Sequence, residues 1–184
     1  MRIKTILSTA AAVVALVGLT ACSDENGDTS ASCNEADVSF AQDMIPHHQQ
    51  ALEMGKLADG RTKNPEVLDL AAKIVAAQQP EIQTMTGWLK AWKKDVPDGS
   101  MSGMDHGDMP GMMSGSEMTS LEDASDDQFD QKFLAMMIMH HEGAIEMATQ
   151  EVENGKYSNA VTLAEKIKKD QLAEIATMRR LLSS

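Results

Sequence analysis

Aromatic residues are nearly absent from this chain: only 3% of its 184 residues are Phe, Trp or Tyr. A core must therefore come from Ala, Leu, Ile and Met, a set that favours helices over sheets. Basic residues are also scarce. Sixteen Lys and Arg stand against 28 Asp and Glu, a net charge of −12, which argues against nucleic-acid binding. Beyond the N-terminal region, no run is long and apolar enough to span a membrane. Nucleophile motifs, phosphate-binding loops and basic patches are missing too. What the chain does have is methionine, 15 residues of it, within a hydrophobic fraction of 42%. That is enough for the core of one domain.

Arg2 and Lys4 open a charged segment. An apolar run, 6–19, follows, and then Leu19-Thr20-Ala21-Cys22. Small residues before a cysteine at the end of such a run match a bacterial lipobox. Residues 1–21 are thus expected to be a signal peptide and Cys22 a lipidated mature N-terminus; the alternative is an ordinary signal peptide cut near Ala21. Residues 22–34 read as a polar tether. With Cys22 lipidated, Cys33 has no partner in the chain and reads as incidental; intermolecular pairing and metal ligation are the alternatives. The domain 35–184 is expected outside the cytoplasm, held to a bacterial membrane through its lipid alone.

Hydrophobic spacing predicts four helices. The first starts near Glu35 or Asp37 and runs to about Ala58, with Phe40, Met44, Ala51 and Met54 on its apolar arc. Pro46 should bend it or loosen its first turns. Asn64 and Pro65 suit the N-cap and first position of a second helix. That helix runs to about Trp92, with a kink expected at Pro80. Residues 94–120 carry Met101, Met104, His106, Met109, Met112, Met113 and Met118 with no helical or strand period, and read as a mobile loop. Ser125 with Gln128 is a capping-box candidate for the third helix. Asn154-Gly155 should stop that helix, and a fourth runs from near Ser158 to near Leu182.

The two halves align without a gap at an offset of 93 residues. Phe40 matches Phe133, and His47 and His48 match His140 and His141. Gln78, Glu81 and Met85 match Gln171, Glu174 and Met178. A duplicated helical hairpin predicts an all-α, antiparallel four-helix bundle with pseudo-twofold symmetry.

Four of the five histidines lie in the repeated block, Met44-Ile-Pro-His-His and Met137-Ile-Met-His-His. With about 100° per residue, both histidines of each pair flank the core-facing line set by the methionine one turn earlier. Imidazole and thioether together suit copper, thioether especially Cu(I), whereas calcium and magnesium need oxygen ligands. The candidate metal ligands are Met44, His47, His48, Met54, Met137, His140, His141 and Met147. In the loop they are Met101, Met104, His106, Met109, Met112 and Met113; the Met-x-x-Met spacings Met101–Met104 and Met109–Met112, with His106 between, have no core to fill. In a purely structural reading, Gln78 and Gln171 hydrogen-bond the imidazoles. In the metal reading the same glutamines support the ligands.

At these residues, and at the Ala-Gln-Gln-Pro-Glu-Ile-Gln-Thr-Met run (77–85) and the Asp-His-Gly-Asp-Met-Pro-Gly-Met-Met loop (105–113), the sequence resembles a bacterial family, domain of unknown function 305. The resemblance covers about residues 36–183. It implies a ferritin-like four-helix bundle, secreted or membrane-anchored, in a family where some members are associated with copper binding or tolerance. The expected function is an extracytoplasmic copper-binding lipoprotein, not an enzyme, that sequesters Cu(I) or hands it to a copper-handling protein. Two alternatives are a ferritin-like metal oxidase using Glu81 and Glu174, and a metal-free structural or partner-binding bundle.

Overall fold

The structure, a computed structural model, describes residues 32–97 and 109–183. The expected segments 1–21 and most of 22–34, including Cys22, lie outside them, as do Met101, Met104 and His106. The described residues are all-helical: α1 (Glu35–Leu57), α2 (Pro65–Ala91), α3 (Gly115–Glu122), α4 (Asp126–Asn154) and α5 (Ser158–Leu182), with no strand among them. None of these helices is long and apolar enough to cross a membrane.

Local chemistry sets the boundaries. The Asn34 side chain accepts from the Asp37 N–H while the Asp37 carboxylate accepts from the Asn34 N–H, a capping box that starts α1. Asn64 caps α2 by accepting from the Glu66 N–H, with Pro65 at the first helical position. Pro46 and Pro80 remove one backbone donor each, yet α1 and α2 run through them as single helices. Two expectations are corrected. The 94–120 stretch is not all loop, because Ser114 and Glu117 form a capping box and begin α3. Ser125 makes no side-chain cap bond. Asp126 instead adopts a left-handed φ of 49° and its N–H donates to the Arg61 carbonyl, tying the α1–α2 turn to the start of α4. Gly155 does end α4, but with φ −67° rather than a left-handed turn. A side chain there would run into the Glu151 carboxyl.

α1 packs against α2, α4 against α5, and the two pairs meet chiefly through α1 and α4. Early α1 residues (Phe40, Met44) share an apolar core with late α2 residues (Met85, Leu89), so the two helices run oppositely. That core also holds Ala144, Met147 and Ile167. A second core holds Met54, Ile74, Phe129, Phe133, Met137 and Met178. Between the two, at mid-height, each long helix contributes buried polar groups: His47, His48 and Gln50; Gln78 and Glu81; His140 and His141; Gln171. The helical bundle is thus two apolar cores separated by a polar belt. Trp88, Trp92 and Tyr157 cluster against the first core, with ring centroids 5.3–6.1 Å apart.

Candidate metal centre

All four paired histidines are fully buried. They lie on α1 and α4, one turn after Met44 and Met137, which are also buried. The His47 and His140 rings face each other across the α1–α4 contact, their centroids 3.7 Å apart and their planes 35° from parallel. The other two point to the outer helices. His48 Nε2 lies 2.9 Å from Glu81 Oε2, and His141 Nε2 lies 2.6 Å from Glu174 Oε2. Both pairs span 33 residues, and they are themselves 93 residues apart, so the duplication recurs at the level of individual hydrogen bonds.

In the purely structural reading Gln78 and Gln171 are the partners of the imidazoles. In the structure they are not: neither amide atom of Gln78 has a partner, nor does Gln171 Oε1. The carboxylates Glu81 and Glu174, one residue-triplet further along, take that role. A carboxylate attracts an N–H more strongly than an amide does. Burial would raise the Glu81 carboxyl, but its bonds to His48 and Lys166 outweigh this and hold it below the usual value.

These contacts fix the tautomers. His47 Nε2 lies 3.1 Å from the Pro110 carbonyl, which can only accept, so Nε2 carries the proton. The ionised Glu81 imposes the same on His48. Their Nδ1 atoms are therefore bare lone pairs, and both are buried without a partner, as is His141 Nδ1. Neither ring nitrogen of His140 makes a well-formed hydrogen bond. Burial, then the charge of His48, pushes His47 down to about 3. Burial and the neighbouring imidazoles push His140 well below the usual value, and a weak approach to the His47 backbone offsets little of it. His48 is also lowered, burial outweighing Glu81. Neutral imidazoles with free lone pairs are the form a soft metal needs, and a buried thioether, Met44 or Met137, lies one helical turn before each pair.

The remaining expected ligands are divided. Met44 and Met147 sit in one apolar core, Met54 and Met137 in the other. Among the described residues, no group of three His, Cys, Asp or Glu side chains is gathered to hold a metal ion. In the loop, Met109 is half-buried. Met112 and Met113 are buried, Met113 within the second core, so the expectation that Met112 has no core to fill is corrected. Cys33 is a free thiol packed against the first core. Sequence reasoning missed Gln50, Pro110, Gly111 and Gly143, which bring residues 109–113 across the histidines. The signal was present in part: a Gly-Pro-rich stretch, and a Gln where the other half has Gly.

Helices arranged in this way, with a His-His segment repeated on two inner helices and buried at mid-height, define a class of small all-α proteins. The chain belongs to the family described as Domain of unknown function (DUF305), which matches residues 37–182. Solved structures agree. A DUF305 protein of Streptomyces coelicolor, described as secreted, is 37% identical with a TM-score of 0.73, over 80% of this chain and 91% of that one. CopM in its Cu(II)-bound form is 34% identical with a TM-score of 0.70, over 80% of this chain and 95% of that one. CopM has also been solved with Cu(I) and with Ag. Among curated proteins, uncharacterized protein L153 of Acanthamoeba polyphaga mimivirus is 42% identical over 53 residues, 29% of this chain and only 35% of that protein's length.

Proposed function

We propose that this protein is an extracytoplasmic copper-binding lipoprotein that holds Cu(I) for sequestration or transfer to a copper-handling partner. Its architecture in this reading is a ferritin-like, antiparallel four-helix bundle of two duplicated hairpins, anchored through Cys22. The observation that carries the reading is the buried, neutral His47–His140 pair with unpartnered ring nitrogens. Thioethers on the same helices, Met44 and Met137, with Met54 and Met147 beyond, make the donor set soft. The CopM relatives, solved with copper and silver, support the same ligand preference. Met101, Met104 and His106, with Met109, would capture the ion first, soft thioether donors suiting Cu(I). Glu81 and Glu174 would orient His48 and His141 rather than bind metal.

The test is an anaerobic Cu(I) titration of the protein against a competing chelator, beside the double variant His47→Ala, His140→Ala. Loss of tightly bound copper in the variant is expected; an unchanged stoichiometry would sink the site. One rival has a specific observation in its favour, since Glu81 and Glu174 do contact histidines. A ferritin-like oxidase would consume oxygen over many turnovers with Fe(II), and a copper holder would not.

A further inference from the structure

The two His-His blocks are equivalent in sequence position but differ in kind at one place. Gln50 in the first corresponds to Gly143 in the second, and both grip the same five residues, 109–113. The Gln50 amide donates to the Met113 carbonyl at 2.9 Å, and its oxygen accepts from the Met113 N–H at 2.7 Å. This two-point clamp is fully buried. Gly143 acts by having no side chain: a Cβ there would overlap the Pro110 carbonyl and stand 2.8 Å from Gly111 Cα. Gly111 has φ +77°, open to glycine, and a Cβ on it would lie 2.6 Å from the Met139 carbonyl and 3.0 Å from that of His140. Between these two grips, the Pro110 carbonyl meets His47 Nε2 at 3.1 Å.

We propose that Gln50 and Gly143 are positioning residues that seat residues 109–113 as a strap over the histidines, so that the Pro110 carbonyl holds the His47 proton on Nε2, leaves Nδ1 as the donor atom, and closes the route by which a soft cation reaches the His47–His140 pair. The duplication explains why two unlike residues serve one end. A symmetric bundle would offer two identical seats, and a single strap can fill them only if one is made to clamp and the other to yield. The strap also accounts for His140, whose nitrogens stay bare because Pro110 reaches only one of the two facing rings. The closing of the route rests on the copper reading; the positioning of His47 does not.

The test therefore has two arms, on the wild type, Gly143→Ala, Gln50→Leu and Gln50→Glu. In metal-free protein, imidazole ¹⁵N NMR should show His47 protonated on Nε2. In Gly143→Ala and Gln50→Leu, that proton should exchange with water about tenfold faster or more. His48 and His141, held by Glu81 and Glu174, should keep their wild-type spectra, which a general loosening would not allow. Gln50→Glu keeps the acceptor but not the donor and should fall between. In the second arm, transfer of Cu(I) between chelator and protein should speed up about tenfold or more in the same variants, with the histidine ligands intact. Should Gly143→Ala fail to fold, Gln50→Leu carries both arms. An unchanged His47 spectrum in the variants would overturn the positioning, and a shifted His47 with unchanged transfer rates would overturn the closing. If the wild type takes up no Cu(I), the copper reading falls and the NMR arm still decides the positioning.

Discussion

Glu81 and Glu174 perform one task in two settings. Each accepts from a buried imidazole, but Glu81 also takes Lys166 at 2.9 Å, whereas Lys73, the counterpart of Lys166, pairs with Asp69 at 2.7 Å instead. Replacing Glu81 by Ala strands the His48 Nε2–H in the interior, and an unsatisfied buried donor costs about 1–3 kcal/mol. A loss of that size in the unfolding free energy, read as a lower urea midpoint, is expected. At the far end of α4, Glu151 is buried with no donor near its oxygens, and its neighbour is the Asp37 carboxyl. Asp37 accepts three backbone N–H bonds, from Asn34, Lys156 and Tyr157. Burial would raise Asp37, but these bonds, with one from Glu151, hold it low. Glu151 must then keep a proton and donate it to Asp37, and burial with this neighbour raises it to about 8. The sign follows: the folded state holds a proton that the unfolded chain releases near its usual 4.5. Stability should fall as pH climbs from about 4.5 to 8, by at most about 1.4 kcal/mol per pH unit from this group. Glu151→Gln keeps a donor for Asp37 without a titrating proton, so its denaturation midpoint should decline less over that window; an equal decline would refute the shared proton.

At the scale of elements, the helix ends were the most legible features, because capping is a local transaction between residues a few positions apart. Asn64-Pro65 announced α2, and the end of the polar tether at Asn34 announced α1. Asn34→Ala should cost about 1 kcal/mol through the lost cap, read as a lower thermal midpoint, and somewhat more because Asn34 Nδ2 also donates to the Asn154 carbonyl. The 8-residue α3 was not legible: its apolar residues, Met118 and Leu121, are too few to declare a period. The strap was hidden for a different reason. A glycine chosen for turning and a glycine chosen for closeness look alike in a sequence, and only the partner backbone tells them apart. The histidine pairs stood out in the sequence by their repetition. Their true hydrogen-bond partners did not, since Gln78 and Glu81 both lie on the inward side of α2 and only the packing of α1 decides between them.

Taken whole, the molecule is two apolar cores with a polar layer between. The offset of 93 residues predicts two matching hairpins, found as α1 against α2 and α4 against α5, but the separation into two cores appears only when the helices are packed. Truncations on opposite sides of the belt should therefore act independently. Met54→Ala and Met85→Ala sit in different cores and are both fully buried. Each should cost about 2–5 kcal/mol, and the double variant should equal their sum to within about 0.5 kcal/mol; chemical denaturation of the single and double variants checks it. The aromatic residues divide just as unevenly. Trp88, Trp92 and Tyr157 all border the core that holds Met44, while Phe129 and Phe133 stack in the other. Indole emission is consequently a local gauge, blind to one end of the molecule. An unfolding curve followed by fluorescence times the melting of the Met44 end, circular dichroism times the whole, and any gap between the two curves measures how loosely the belt couples the cores.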